Sequence, residues 1–310
     1  MSAIRDVHER IVEAPADVVG ALLDRIAGAD DPLFPTPAWG PMRLDRPLGV
    51  GAGGGHGSVR YAVTEYEPGR RVRFGGTPPL VGFHQLTVEP RGEACLVRHE
   101  LAVEVGGWER LLWAVAVMPV HRTMVEEIFD NAERAATGSC ARPVRWSRWV
   151  RLLNRLTWDR TETVETPSSA RLIAAAIESP GYADAYRMEL RPGMPREPAA
   201  WTGILRDAFP VLAEEDGELL LAVDTAGLTA RASILVDERY VTLSTVVRAD
   251  SLRGRLYWGV VRRGHPVMAK AMLRRTHRRL ALAVASAGER AGSVAGRAVS
   301  ANGPRNGPGQ

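Results

Sequence analysis

The segment Glu93-Ala-Cys-Leu-Val-Arg-His-Glu-Leu-Ala-Val-Glu-Val-Gly-Gly-Trp108 decides the fold. Cys95, Val97, His99, Leu101 and Val103 alternate with Arg98 and Glu100, the pattern of a strand with one apolar and one polar face. After Gly106-Gly107 the period changes. Leu112, Trp113, Ala116, Val117, Val120, Met124, Val125 and Ile128 form a wide apolar stripe at helical spacing, which predicts a helix from Trp108 to about Ala136. Such a strand and such a helix bury their apolar sides together when the helix lies across a sheet.

Upstream, residues 4–13 read as a strand, and Ala14-Pro15-Ala16-Asp17 opens a helix. Residues 28–41, rich in Gly, Asp and Pro, form a loop that holds Trp39. Strands are expected at 41–48, 57–67, 70–74, 82–89 and 93–104, broken at Gly49–Gly55, Pro68-Gly69, Gly75–Pro79 and Pro90-Arg91-Gly92. The sum is an antiparallel meander with one buried face, packed on its final helix: an α+β fold. A gap left between sheet and helix is the default place for a small molecule.

The second half repeats this theme. Strands are expected at 183–190, 209–214, 218–223, 228–236 and 240–248, with a helix over 197–208 and Asp216-Gly217 as a hairpin turn. A last helix runs from Leu252 to about Ala287, with a break near Gly264-His265-Pro266. Shifting the chain by 144 positions puts Leu112 on Leu256, Trp113 on Tyr257, Val117 on Val261, His121 on His265 and Met124 on Met268. Amphipathicity accounts for the apolar matches but not for the paired histidines. The expected organisation is therefore two tandem helix-grip domains, 1–138 and 182–287, a helical linker 139–181 and a disordered tail 288–310. The linker carries Arg145–Arg160, an amphipathic helix with Trp146 and Trp149 on one side. It is read as a connector packed on a domain, with a membrane-surface role as the alternative.

Composition narrows the function. The 310 residues are 45% hydrophobic and 25% charged, which excludes a wholly disordered chain. The net charge of +4 comes almost wholly from arginine, Lys270 being the one lysine; GC-rich codon usage explains that bias, and no nucleic-acid motif accompanies it. The longest apolar run, Leu111 to Val120, is too short to span a bilayer, and the charged N-terminus does not read as a secretory signal. Two cysteines, Cys95 and Cys140, are too few for a disulfide framework or a zinc site. A cytoplasmic location is expected, with no metal and no cofactor.

Gly49-Val-Gly-Ala-Gly-Gly-Gly-His-Gly57 contains a formal G-x-G-x-x-G, but a strand rather than a helix follows it, which excludes a dinucleotide site. The segment is expected as a connection between strands. His99 lies in an apolar row, and His84 alternates with Leu86 and Val88, so both face the interior as ligand-orienting groups or as satisfied core histidines. Glu65 and Arg60 are a possible pair on the meander's solvated face. No catalytic motif stands out, and no catalytic residue is assigned.

Residues 4–137 resemble the SRPBCC superfamily, the START-like helix-grip proteins that include polyketide cyclases and lipid-transfer domains. The resemblance is carried by Ala14-Pro-Ala-Asp-Val-Val19, Gly51-Ala-Gly-Gly-Gly-His-Gly-Ser-Val-Arg-Tyr61, Glu65-Tyr-Glu-Pro-Gly-Arg-Arg-Val-Arg-Phe74 and Met118-Pro-Val-His121. Residues 182–285 are similar to a bacterial family known as domain of unknown function two-eight-six-seven, through Tyr182-Ala-Asp-Ala-Tyr186, Thr245-Val-Val-Arg248, Gly254-Arg-Leu-Tyr257 and Gly264-His265. The first resemblance implies a hydrophobic or aromatic ligand under the long helix, held by a carrier or by a cyclase/dehydratase-like protein. The expected lining is Trp39, Tyr61, Arg73, His84, His99 and Trp113. The alternative is a non-enzymatic protein that docks a partner or a membrane surface through the C-terminal domain and the linker helix.

Overall fold

The computed structural model describes residues 2–57, 59–77, 81–203, 209–224 and 227–301 (backbone only for 2 and 288–301). Strand β1 (Ser2–Val12) pairs antiparallel with β7 (Ala94–Val105). Between them lie α1 (Ala16–Leu23), β2 (Arg43–Leu44), β3 (Gly53–His56), β4 (Val59–Glu67), β5 (Arg71–Gly76) and β6 (Val81–Arg91). The strands form one seven-stranded sheet in the order β1-β7-β6-β5-β4-β3-β2, with every pairing antiparallel. The long helix follows as α2 (Glu109–Leu112), a π-helical turn (Trp113–Val117) and α3 (Met118–Thr137). Gly138, in the left-handed conformation, ends it. Helix α4 (Arg148–Leu156) packs on α3 and is capped by the Ser147 hydroxyl, which accepts from the Val150 amide at 3.1 Å.

Alternation works as expected along β7, where Cys95, Val97, His99, Leu101, Val103 and Val105 are all buried. Tyr61, Val63, Val72 and Phe74 continue that face across β4 and β5, and Val125, Ile128, Phe129 and Ala132 are buried on α3. Burying each such aliphatic or aromatic side chain stabilises the fold by about 1.5–3 kcal/mol. The glycine stretch departs from expectation. It forms strand β3 rather than a plain connection, because Gly54 lets β2 approach closely: a Cβ there would sit 2.0 Å from the Arg43 carbonyl oxygen.

The second unit holds β8 (Glu162–Val164), α5 (Arg171–Ala176), β9 (Tyr182–Glu189), a 3-10 turn (Pro198–Trp201), β10 (Val211–Glu215), β11 (Glu218–Ala222), β12 (Leu228–Val236), β13 (Tyr240–Ala249) and, up to residue 284, α6 (Leu252–Ala301). Its sheet has the order β10-β11-β12-β13-β9-β8, and its pairings are antiparallel. Both of its faces are covered. Ala269, Leu273 and Ala281 of α6 pack with Tyr186, Met188, Leu243 and Ile234 on one face. Ile173 of α5 packs with Leu220, Leu235 and Val246 on the other. The buried Glu218 carboxylate accepts the amides of Leu172 and Ile173 at 2.8 and 3.1 Å, satisfying donors that the start of a helix leaves free.

Several expected boundaries move. The described residues fall into two compact units: those up to 157 together with 285–301, and those of 158–284. The expected linker is shared out, α4 going to the first unit and β8 and α5 to the second. The helix expected over 197–208 is a 3-10 turn at Pro198–Trp201, and its positions 204–208 lie outside the described residues. Helix α6 is continuous through Pro266, with no break at Gly264. It also runs to Ala301, where an unstructured tail from 288 was expected; no proline interrupts it between Pro266 and Pro304. Residues 302–310 lie outside the described residues.

Candidate functional site

Between the first sheet and its helix, aromatic rings follow one another along the inner face. Phe34 meets His56 (centroids 5.3 Å apart), His56 meets Tyr61 (6.0 Å), and Tyr61 meets Phe74 and His84 (5.0 Å each). Phe74 stacks on His84 at 4.9 Å. His84 then approaches His99 (5.8 Å), and His99 approaches His121 of α3 (5.0 Å). Strand register explains the row. Phe74 lies opposite His84, His84 opposite Leu101, and Leu86 opposite His99, all on one face.

Burial drives every one of these imidazoles toward the neutral form. It holds His84 at about 3 and His56 and His121 at about 4, with the Arg60 charge adding to the shift at His56. His99, only 2% exposed, is pushed well below its ordinary value, and burial raises the Tyr61 phenol far above its own. The Tyr61 hydroxyl, His99 Nδ1 and His121 Nδ1 are buried and have no hydrogen-bond partner among the described residues. His277 in the second unit shows the opposite case. Its Nδ1 accepts from the Trp158 indole at 3.2 Å, and its Nε2 donates to the Glu189 carbonyl at 2.9 Å.

One wall of the site is charged. The inward positions of β1 carry Asp6, His8 and Arg10. His8 donates from Nδ1 to Glu126 (2.6 Å) and from Nε2 to Asp6 (3.0 Å), so it is an imidazolium, and its hydrogen bond to Glu126 is the main cause of its raised pKa. Arg10 donates to Asp130 (2.5 Å) and Glu126 (2.7 Å), and Arg122 donates to Asp6 (2.8 Å). Burial works against the Asp6 charge, but the bonds from Arg122 and His8 still hold its carboxyl below the ordinary value. His121 Nδ1 stands 3.9 Å from Asp6. The signal for this ladder lay in the sequence: Asp6, His8 and Arg10 alternate on β1, and Arg122, Glu126 and Asp130 recur every four residues on the helix.

The expected lining residues separate. Tyr61, His84 and His99 come together on the inner face. Trp113, in the π-helical turn, packs with Leu101, Val103 and Met118 at the end of that face. Trp39 lies elsewhere, its ring against Trp146 at 4.7 Å and its indole N–H donating to Glu127. Arg73 is a correction. It neighbours the inward Phe74 and so projects to the opposite face, where it bonds Glu65 and covers the Phe83 ring at 3.8 Å. Glu65 thus pairs with Arg73 and not with Arg60, which donates to the Gly57 and Val59 carbonyls. The linker tryptophans are bonded within their own unit: Trp146 to Glu127 (2.8 Å) and Trp149 to the Val115 carbonyl (2.7 Å). Residues not foreseen at the site are His56, Phe74, His121 and Asp6.

Neutral imidazoles and a phenol offer donors and acceptors in an apolar surround. An imidazole held near 3–4 captures a proton poorly at neutral pH, so these rings suit hydrogen bonding to a guest more than proton abstraction. No group of three or more His, Cys, Asp or Glu among the described residues is placed to hold a metal ion. No helix among them is long and apolar enough to cross a membrane.

The model of a family described as protein of unknown function (DUF2867) matches residues 129–272, starting well before residue 182 and crossing from the first unit into the second. No curated protein matches the sequence. Among solved structures, CalU16 from Micromonospora echinospora is 16% identical, with a TM-score of 0.34 over 50% of this chain and 84% of its own. The di-domain ARO/CYC BexL from the BE-7585A biosynthetic pathway is 15% identical, with a TM-score of 0.34 over 90% of this chain and 98% of its own. Norcoclaurine synthase from Thalictrum flavum, in complex with dopamine and hydroxybenzaldehyde, is 14% identical, with a TM-score of 0.33 over 43% of this chain and 86% of its own. This chain is an α+β protein of two helix-grip units, each an antiparallel sheet packed on a long helix.

Proposed function

We propose that the first unit binds a hydrophobic or aromatic small molecule bearing polar groups between its sheet and α3, as a carrier or as a cyclase/dehydratase-like protein. One observation carries this reading: the Tyr61 hydroxyl and His99 Nδ1 on the sheet and His121 Nδ1 on α3 are buried without a partner among the described residues. Leaving such a group unpaired costs about 1–3 kcal/mol, and a guest with matching donors and acceptors recovers it. The depressed imidazole pKa values favour a role in holding and orienting the guest over one as general base. Native mass spectrometry of freshly purified protein tests this. A co-purifying adduct is expected in the wild type and lost in a His99→Leu, His121→Leu double variant. An adduct unchanged in that variant overturns the assignment of the site.

A second reading rests on the outer surface of the same unit. Trp108, Leu111, Leu112, Trp149, Leu152 and Leu156 are exposed, and Trp108 reaches 75% exposure. From Arg134 to Trp158 the chain carries six arginines and no acidic residue. Exposed apolar side chains in a unit with an arginine-rich, acid-free stretch suit the surface of an anionic membrane. Flotation with phosphatidylserine vesicles separates this from simple solubility. Vesicle binding by the wild type, lost in Trp108→Ser, Leu112→Ser, supports docking, and no binding at low salt removes it.

A further inference from the structure

We infer that the second unit holds a ligand site of its own for a small organic ammonium ion, with the Asp184 carboxylate as its receptor. This stands apart from the proposal for the first unit and uses different residues.

The two units share a local design. In the first, Asp6 on the opening strand lies opposite Leu101 of the closing strand, and His121 of the long helix approaches it at 3.9 Å. In the second, Asp184 on β9, the strand paired with the closing strand, lies opposite Thr245 of that closing strand, and His265 of α6 approaches it at 3.4 Å. Leu101 and Thr245, like His121 and His265, are 144 positions apart, so the offset seen in the helices extends into the sheet.

The charge balance differs. Asp6 is neutralised by the Arg122 guanidinium at 2.8 Å and by His8 at 3.0 Å. The residue 144 positions after Arg122 is Pro266, which has no charge to offer. Asp184 Oδ2 instead accepts the hydroxyls of Tyr182 (2.6 Å) and Tyr186 (2.8 Å). Asp184 Oδ1 is buried and has no hydrogen-bond partner among the described residues, while His265 Nε2 lies 3.4 Å from Oδ2. Burial works against the charge, yet the nearby His265 and the two tyrosine hydroxyls hold the Asp184 carboxyl below its ordinary value, so it is an anion at neutral pH. The lone lysine, Lys270, lays its ammonium over the ring of Tyr186 at 5.0 Å.

The surround suits an organic cation. Tyr182 meets Trp258 edge-on at 4.9 Å and His265 at 6.0 Å, so aromatic rings flank the carboxylate. Across the strands the row at Asp184 continues as Thr245 and Ala232, two small side chains. To one side lies the core cluster around Met188 and Leu243, and to the other the cluster around Val247 and Tyr182. A buried anion with one oxygen unpaired favours a ligand that brings both a hydrogen-bond donor and a positive charge. A primary ammonium on an aromatic or alkyl body supplies both and places its apolar part against the rings.

The test is calorimetric titration of the full chain with 2-phenylethylammonium and with its neutral counterpart, 2-phenylethanol. The amine is expected to bind saturably and at least tenfold more tightly than the alcohol. Asp184→Asn is expected to weaken the amine at least tenfold. Pro266→Arg supplies the cation found in the first unit and improves helix propensity, so it is expected to fold and to exclude the amine to the same degree. The inference is overturned by equal binding of amine and alcohol, by unchanged binding in a folded Pro266→Arg variant, or by no saturable binding of the amine to the wild type at millimolar concentration.

Discussion

The indole N–H of Trp149 donates to the main-chain carbonyl of Val115 at 2.7 Å. In an α-helical ladder the donor to that carbonyl is the amide of residue 119, and residue 119 is a proline, with no N–H to give. The surrounding turn, Trp113–Val117, is π-helical, with the Met118 amide reaching the Trp113 carbonyl. A side chain from α4 thus supplies a hydrogen bond that Pro119 removed from the long helix. Trp149→Phe should lower stability by about 0.5–1.5 kcal/mol in urea denaturation. In a Pro119→Ala background, where the amide returns, the same substitution should cost less. An equal loss in both backgrounds refutes the link.

Buried histidines make stability depend on pH in a stated direction. Burial holds His84 at about 3 and His56, His121 and His277 at about 4 in the folded protein. The unfolded chain titrates near 6.5. Between those values the unfolded state binds more protons, so stability rises with pH, by roughly 1.4 kcal/mol per pH unit for each such histidine. His8 acts oppositely: its raised value stabilises fully below about pH 6.5 and is lost as pH climbs through it. The melting temperature should therefore fall steeply from pH 6.5 toward 4.5. A flat profile across that window contradicts the neutral imidazole row.

His99 and His277 should respond differently to the same change. His277→Leu strands the Trp158 indole and the Glu189 carbonyl and should cost about 1–3 kcal/mol. His99→Leu removes a ring nitrogen that has no protein partner, so its cost should stay below about 1 kcal/mol, or stability should rise. Paired denaturation curves decide this, and equal losses would show that His99 is an ordinary core histidine.

Arg73→Ala should leave any adduct of the first unit in place, since Arg73 lies with Glu65 and Phe83 on the outer face. Its half-exposed ion pair and ring contact predict a loss of no more than about 1 kcal/mol. Loss of the adduct in this variant, by native mass spectrometry, would place the guest on the wrong side of the sheet.

Much of the fold was legible because it is local. The two-residue period of β7 and the helical stripe on α3 each read directly from neighbours in the chain, and both appear where expected. Asp216-Gly217, with both residues at positive φ, forms the turn between β10 and β11 that its sequence announced. The outward side of Arg73 was legible as well, since it lies between the inward Val72 and Phe74 and alternation alone sends it to the opposite face. The cover that α5 gives the second sheet was not legible, because that short helix lies in a segment that reads as a linker and only tertiary packing fixes what it covers.

By itself the sequence determined that two sheet-and-helix units follow one another and that histidines repeat at matching places on their helices, since periodicity and spacing are properties of the chain alone. Only the tertiary structure decided which polar atoms are left over. Whether His99, His121 and Asp184 end with a partner depends on groups brought from strands and helices far along the chain. The cost of burying an unpaired group is felt only once that packing has excluded water.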